Sequence, residues 1–418
     1  MSKPAVIIIG AGITGLIAAK KLSPHFQVII LEAASRTGGR LYSIRGGDQV
    51  IEAGAEFIHG NLPVTLQLLQ EAGIPYTKIS GEMYRKRNGR FITVEEMTEG
   101  WDRVLEQMKS VAEDVTLQEL LDKYFAGPAD VSIREHVKSY AEGFDLADIT
   151  RASVKSLYKE WSAESDDNYR IPAGYGALIK YLQQECESGG TIIYTDSKVG
   201  GVQWTQNSVT VHTLNGEQYT ADKLLVTVPV SLLQHPDSAE SIRFTPGIHF
   251  DKEVAGRIGF GAVIKVVIRF KHPFWQKDAG FILSDELFPT WWTQLPARVP
   301  LLTGWLGGPK AAALSTETDD IILEKALASL AAIYDLPVPG LTANLEEGMI
   351  FNWQKNKYAL GAYSYATPLS GEAKNIINTP LEDTIFFAGE ALYNGDHPGT
   401  VEAALVSGIE TAARIRKH

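Results

Sequence analysis

The apolar pattern of this chain begins with a short unbroken run. Residues Ala5–Ile9 read AVIII, rich in β-branched side chains, the pattern of a strand buried on both faces. Residues 16–22 then take on helical character, and Gln27–Leu31 is a second run of the same kind. Short apolar runs at 191–194, 199–204, 209–213, 224–228 and 385–388 predict further strands, and 260–270 predicts a longer one. Helical periodicity marks 62–73, closed by Gly73 with Pro75 behind it, and also 101–112, 116–124, 178–187, 321–334 and the stretch ending at Ile415. Thr116-Leu117-Gln118-Glu119 is a capping box. Residues 83–92 read as a hairpin turning at Asn88-Gly89, and the pattern from 93 to 161 is mostly helical.

Between the first two runs stands Gly10-Ala11-Gly12-Ile13-Thr14-Gly15. Gly10 permits the tight turn out of the strand, Gly12 lets backbone approach a pyrophosphate, and Gly15 lets the helix pack on the strand. The helix N-terminus presents N–H groups and a positive dipole end to phosphate. Glu32 ends the second run, where a ribose hydroxyl would be bound. Strand, glycines, helix, strand and acid in this order predict a dinucleotide site. Gly38-Gly39-Arg40 follows, with two glycines for close approach and a guanidinium able to pair with phosphate.

Composition narrows the class. The chain has 418 residues, 44% hydrophobic and 21% charged, enough for two domains around substantial cores. A net charge of −11 without a basic run argues against a nucleic-acid binder and suits cationic substrates. Cys186 is the single cysteine, so no intramolecular disulfide forms and a cytoplasmic location is expected. The glycine fingerprint explains the N-terminal apolar run better than a signal peptide does. No run reaches the ~18–20 apolar residues that span a bilayer.

The opening through Arg40 resembles the FAD-binding segment of the flavin-containing amine oxidases: monoamine and polyamine oxidases, flavin histone demethylases and L-amino acid oxidases. Further segments carry the resemblance. Residues 50–60, VIEAGAEFIHG, are similar to the stretch that lines the flavin and the substrate tunnel of polyamine oxidases. This places Ala55 and Glu56 by the cofactor and gives His59 a role at the substrate; read alone, His59 is equally a hydrogen-bonded loop histidine. Lys265 stands in an apolar run, and strand alternation allows it either a solvated or a buried face. The resemblance implies a lysine joined through water to flavin N5, assisting oxygen activation by positive charge near developing superoxide.

Residues 351–365, FNWQKNKYALGAYSY, resemble the family's W…G-x-Y-S stretch, with Trp353 near the flavin and Tyr363 as one wall of an aromatic cage. Ala362 stands where covalent monoamine oxidases place a cysteine, so non-covalent FAD is implied. The resemblance also places the backbone of Val199 at the adenine and Gly389-Glu390 near the ribityl–pyrophosphate part. The helix opened by Pro398-Gly399-Thr400-Val401 would meet flavin N1 and O2. Thr400, where monoamine oxidases have a second cage tyrosine, leaves the cage half open, as in polyamine oxidases. The acids Glu160, Glu164, Asp166 and Asp167 read as a solvated loop or as steering groups for a polyamine.

The resemblance implies an α/β fold (α+β overall): a Rossmann-like FAD-binding domain of the GR2 type from residues 1–80, 190–235 and 370–418. A mixed-sheet and helical substrate-binding domain, residues 81–189 and 236–369, is inserted into it. The implied reaction is C–N oxidation by hydride transfer to flavin N5, giving an imine and then a carbonyl compound, with O2 reduced to H2O2. A polyamine-like substrate is favoured, with an L-amino acid or aromatic monoamine oxidase as alternative. A non-catalytic FAD-binding paralogue or a flavin desaturase is further off. No C-terminal membrane helix of the mitochondrial monoamine oxidase kind and no added chromatin-binding module is expected. The expected partners are a small-molecule amine and O2, without nucleic acid, membrane or metal, in a monomer or homodimer.

Overall fold

The computed structural model describes residues 3–47, 49–87, 89–92, 100–163 and 167–417. The chain divides into two units: Met1–Thr77, Glu164–Phe260 and Lys357–His418 form the first, Lys78–Ala163 and Gly261–Asn356 the second. In chain order the first unit contains β1 (Ala5–Ile9), α1 (Ile13–Leu22), β2 (Gln27–Leu31), β3 (Phe57–His59) and α2 (Pro63–Glu71). There follow β4 (Asn168–Arg170), α3 (Tyr175–Ser188), β5 (Ile192–Tyr194), β6 (Lys223–Val226), β7 (Ile385–Phe387) and α4 (Val401–Ile415).

Its central sheet has the order β5-β2-β1-β6-β7, parallel throughout. Both faces are covered, which is why β1 reads as an unbroken apolar run. Val6 and Ile8 enter one core with Leu16 of α1, Leu178 of α3 and Leu405 of α4. Ile7 and Ile9 enter the opposite core with Val226, Phe250 and Phe387. Helices α1 and α4 pack with almost no separation: a Cβ at Gly408 would stand 2.7 Å from the Thr14 carbonyl oxygen. The Thr14 hydroxyl donates to the Ala404 carbonyl at 3.0 Å. This parallel, doubly covered sheet is the α/β fold expected for the cofactor-binding part.

The boundaries of the units depart from the expected domains. Residues 164–189, 236–260 and 357–369 stand with the first unit rather than with the insert. The reason is packing: Tyr175, Leu178, Leu182 and Cys186 of α3 complete the core on one side of the sheet, and Phe250, Ala255 and Ile258 the core on the other.

The second unit holds a seven-stranded mixed sheet. At one end of it Val263–Phe270 lies antiparallel between Leu301–Gly307 and the edge strand Leu345–Asn352. Ala279–Leu283 pairs in parallel with Glu82–Arg87, which turns back to Arg90–Ile92; the Asn88 of that hairpin lies outside the described residues. Ile264, Val266 and Ile268 pack on Ile322, Ala326 and Leu330 of the helix Asp319–Tyr334. The capping box at Thr116 is present in full. The strand expected over 260–270 is broken: Gly259–Phe260 pairs with Ser364–Tyr365 in the first unit, and the new strand begins at Val263. No helix among the described residues is long and apolar enough to cross a membrane.

Candidate functional site

The first glycine segment is built as its spacing predicts. Gly10 has φ +103°, and a Cβ at Gly15 would stand 2.1 Å from the Gly10 carbonyl oxygen, so α1 lies directly on the turn. Gly12 is the N-cap of α1, gives it no side-chain cap, and would meet nothing within 4 Å if it carried a Cβ. Gly38 bridges Gly12, and a Cβ at Gly39 would be 3.6 Å from the Gly12 Cα. Two glycine segments side by side at a helix N-terminus form an open backbone cradle, which fits a pyrophosphate.

Glu32 is 8% exposed. Its oxygens accept from Ala11 N–H at 2.7 Å and Ala34 N–H at 2.8 Å. Burial pushes its carboxyl above the usual value against these donors, and each oxygen keeps a further lone pair for a ribose hydroxyl. Tyr194 and Ser197 are tied to the Glu32 backbone, which brings the segment before Val199 to the end of β2. Val199 is buried beside a break in strand register.

Arg36, absent from the sequence candidates, braces the second glycine turn. It donates to the carbonyls of Thr37, Leu41 and Gly39 and lies 3.8 Å from the centre of the Tyr42 ring. Arg40 is held by its Nη1, which donates to Glu390 Oε1 and to the Ala362 carbonyl, both at 2.7 Å, while its side chain keeps 26% of its surface in solvent. The other oxygen of Glu390 accepts the Ser364 hydroxyl at 2.6 Å. The residues on both sides of Tyr363 are thus fixed by one ion pair. The half-buried Tyr363 ring rests on Gly399, where a Cβ would be 3.1 Å from Tyr363 Cδ2.

Gly389 N–H donates to the Ser407 hydroxyl on α4. Thr400 caps α4 through the Ala403 N–H at 3.1 Å, so one first-turn donor of that helix is already engaged; Val401 is its first residue. Ala55 N–H donates to the Arg40 carbonyl.

Strand β3 carries Phe57 and His59 into pairing with β4, and Glu56 directly precedes it. Glu56 accepts from Arg170 Nη2 at 2.9 Å, and the Arg170 guanidinium lies 5.1 Å from the centre of the Phe57 ring. His59 Nδ1 is 2.7 Å from Asn168 Oδ1, which can only accept, so Nδ1 carries the proton and Nε2 of the neutral ring offers a lone pair. The His59 ring is accessible to solvent, yet burial pushes its pKa below the usual histidine value, against the Asn168 bond. Neither Asn168 nor Arg170 carried a sequence signal, because their partners lie more than a hundred residues away.

Lys265 and Trp353 belong to the second unit. Lys265 is 1% exposed, with its ammonium 5.4 Å from the centre of the Trp292 ring and its backbone opposite Trp305 and Phe351. Trp353 is buried at the turn after Leu345–Asn352. Of the acidic stretch, Glu164 and Asp166 lie outside the described residues. Cys186 is a packing residue: burial pushes its thiol up to about 12.

The sequence profile of the family described as flavin containing amine oxidoreductase matches residues 13–416. Lysine-specific histone demethylase 2 of Homo sapiens is 28% identical over 98% of this chain and 53% of its own length. Lysine-specific histone demethylase 1 homolog 3 of Oryza sativa subsp. japonica is 28% identical over 99% of this chain and 54% of its own. The chain therefore spans about half the length of the curated relatives it matches. Among solved structures, a putrescine oxidase bound to putrescine superposes with a TM-score of 0.82 at 20% identity, covering 100% of this chain and 99% of that one. Cyclohexylamine oxidase from Brevibacterium oxydans IH-35A gives 0.81 at 19% identity, covering 99% of both. At these identities the structures show a common fold.

Proposed function

The chain belongs to the family of flavin-containing amine oxidoreductases, with FAD as its cofactor, and we propose that it oxidises the C–N bond of a cationic amine without a carboxylate, polyamine-like foremost. Bound FAD supplies the redox chemistry, taking two electrons from the carbon beside the amine nitrogen and passing them to O2. The resulting imine hydrolyses to a carbonyl compound.

The observation that carries the substrate class is the closure of Arg170 on Glu56 beside His59. The guanidinium on the strand paired with β3 is committed to an internal carboxylate, and His59 is held towards neutrality. Neither offers the full positive charge that clamps the carboxylate of an amino acid. The net charge of −11 supports a cationic substrate as well.

Within this reading Gly10, Gly12, Gly15 and Gly39 hold the pyrophosphate and Glu32 a ribose, while Val199 serves the adenine. Arg40 acts through Glu390 to fix Tyr363, a wall for the amine. Ala55, Gly389, Thr400 and Val401 serve the flavin side, with Trp353 beside it, and Ala362 leaves FAD without a covalent link. Lys265 serves oxygen activation. We further propose a monomer or homodimer acting in the cytoplasm on a small amine with O2, without nucleic acid or membrane. The histone demethylases, matched over nearly the whole of this chain, favour a second reading in which the amine is a lysine side chain of a peptide.

Anaerobic visible spectra test this. Spermine, spermidine or putrescine is expected to bleach the flavin band, ahead of aromatic monoamines, L-amino acids and a peptide bearing N-methyl-lysine. Bleaching by the peptide alone would select the second reading, and bleaching by L-amino acids would overturn the carboxylate argument. A bound flavin reduced by no amine would overturn the activity. Because only the unprotonated amine has a lone pair, the rate of reduction is expected to rise with pH, with no strong general base; a flat profile from acid to alkaline pH would count against this.

A further inference from the structure

Glu402 has no part in the reading above, yet it is only 2% exposed and fully engaged. Its Oε1 accepts from Val64 N–H at 2.9 Å, and its Oε2 accepts from Thr65 N–H at 2.7 Å and the Thr65 hydroxyl at 2.6 Å. Val64 and Thr65 are the second and third residues of α2, whose N-cap Leu62 has no oxygen to give and whose first residue is Pro63. Helix α2 therefore takes its cap from a carboxylate 337 residues away. That carboxylate projects from the first turn of α4, two residues after Thr400. One buried acid thus joins the starts of two helices, and it leaves no first-turn donor of α2 at Val64 or Thr65 unmet.

The path from this cap back to β3 has little freedom. Leu62 is buried in the core, Pro63 has a fixed φ, and Gly60 N–H donates to the Asp167 carbonyl at 2.7 Å. His59 is the next residue.

We propose that Glu402 is a positioning residue that locks strand β3, and with it His59, to the start of helix α4. The proposal rests on the role given to His59 and to α4 above. It differs from ordinary capping in its consequence: losing the cap displaces the substrate-facing histidine, whereas a cap lost elsewhere lowers stability alone.

Glu402→Gln keeps the shape but turns one acceptor into a donor facing the N–H groups of α2. Thr65→Val is the milder probe, removing only the hydroxyl bond. In the apoprotein, hydrogen exchange of the 55–66 segment is expected to speed up in Glu402→Gln, with α1 unchanged. In the holoenzyme kcat/KM for the amine is expected to fall by on the order of a hundredfold, the effect of a displacement near 1 Å. Thr318→Ala, which removes the N-cap of Asp319–Tyr334, should lower the melting temperature and leave kcat/KM unchanged. In a His59→Ala background the Glu402→Gln loss in kcat/KM should largely vanish, since both act through one group. Exchange confined to α2, or losses that multiply across the two substitutions, would overturn the proposal. If Glu402→Gln does not fold, the same comparisons with Thr65→Val decide it. Failure of the amine oxidase reading is separate, because it appears in the unmodified protein as a flavin that no amine bleaches.

Discussion

Replacing Lys265 by methionine is expected to slow reoxidation by O2 by about a hundred- to a thousandfold, the usual effect of losing one preorganised electrostatic group. Anaerobic reduction by the amine should change only a few-fold. The side chain occupies an interior strand and is 1% exposed, next to the Trp292 face. A lysine is seldom fully buried without a task, and a methionine of similar length fills the same space without an ion to desolvate. The contact of the Lys265 ammonium with the Trp292 ring is one structural use of the charge, and the oxygen step is the proposed other. Its proposed task is to stabilise negative charge as it develops on oxygen, so the oxygen step alone should feel its loss. Stopped-flow mixing of the reduced enzyme with O2 measures this directly. Equal slowing of both half-reactions would assign Lys265 to the architecture of its sheet instead.

The second large effect is on stability. Arg40→Leu should lower the melting temperature by roughly 3–4 °C, from about 3 kcal/mol lost when a buried pair is broken. The Glu390 side chain is 5% exposed and would keep only the Ser364 hydroxyl and backbone N–H as donors, while the Ala362 carbonyl would lose its partner. The Arg40 side chain keeps 26% of its surface in solvent, which places the cost at the low end of the range for buried pairs. The double variant Arg40→Leu with Glu390→Leu should recover much of the loss, because no uncompensated charge remains. Differential scanning calorimetry of the four proteins gives the cycle. A single variant as stable as the parent would mean that the pair contributes nothing and that Tyr363 is held by its packing on Gly399.

The sequence by itself determined what depends on neighbours along the chain. The capping box at Thr116 rests on residues within one helical turn, and the strand–glycine–helix–strand opening with the acid at Glu32 on one contiguous segment; all stand as their spacing requires. The unbroken apolar run of β1 correctly announced a sheet covered on both faces.

Tertiary structure decided what depends on residues brought together from afar. Alternation left Lys265 open because it reports two faces of a strand, while only packing decides whether both are covered; here both are. Arg40 read as a phosphate ligand, and the structure adds a partner that local sequence does not show, Glu390, 350 residues on. His59 drew its partner from Asn168, and Arg170 was committed to Glu56. The break between Phe260 and Val263 came from the chain leaving one sheet for another, which local propensity does not record. The cap of α2 was invisible for the same reason: a helix start with Leu62 and Pro63 shows no acceptor of its own, and the oxygen that satisfies it belongs to the far end of the chain.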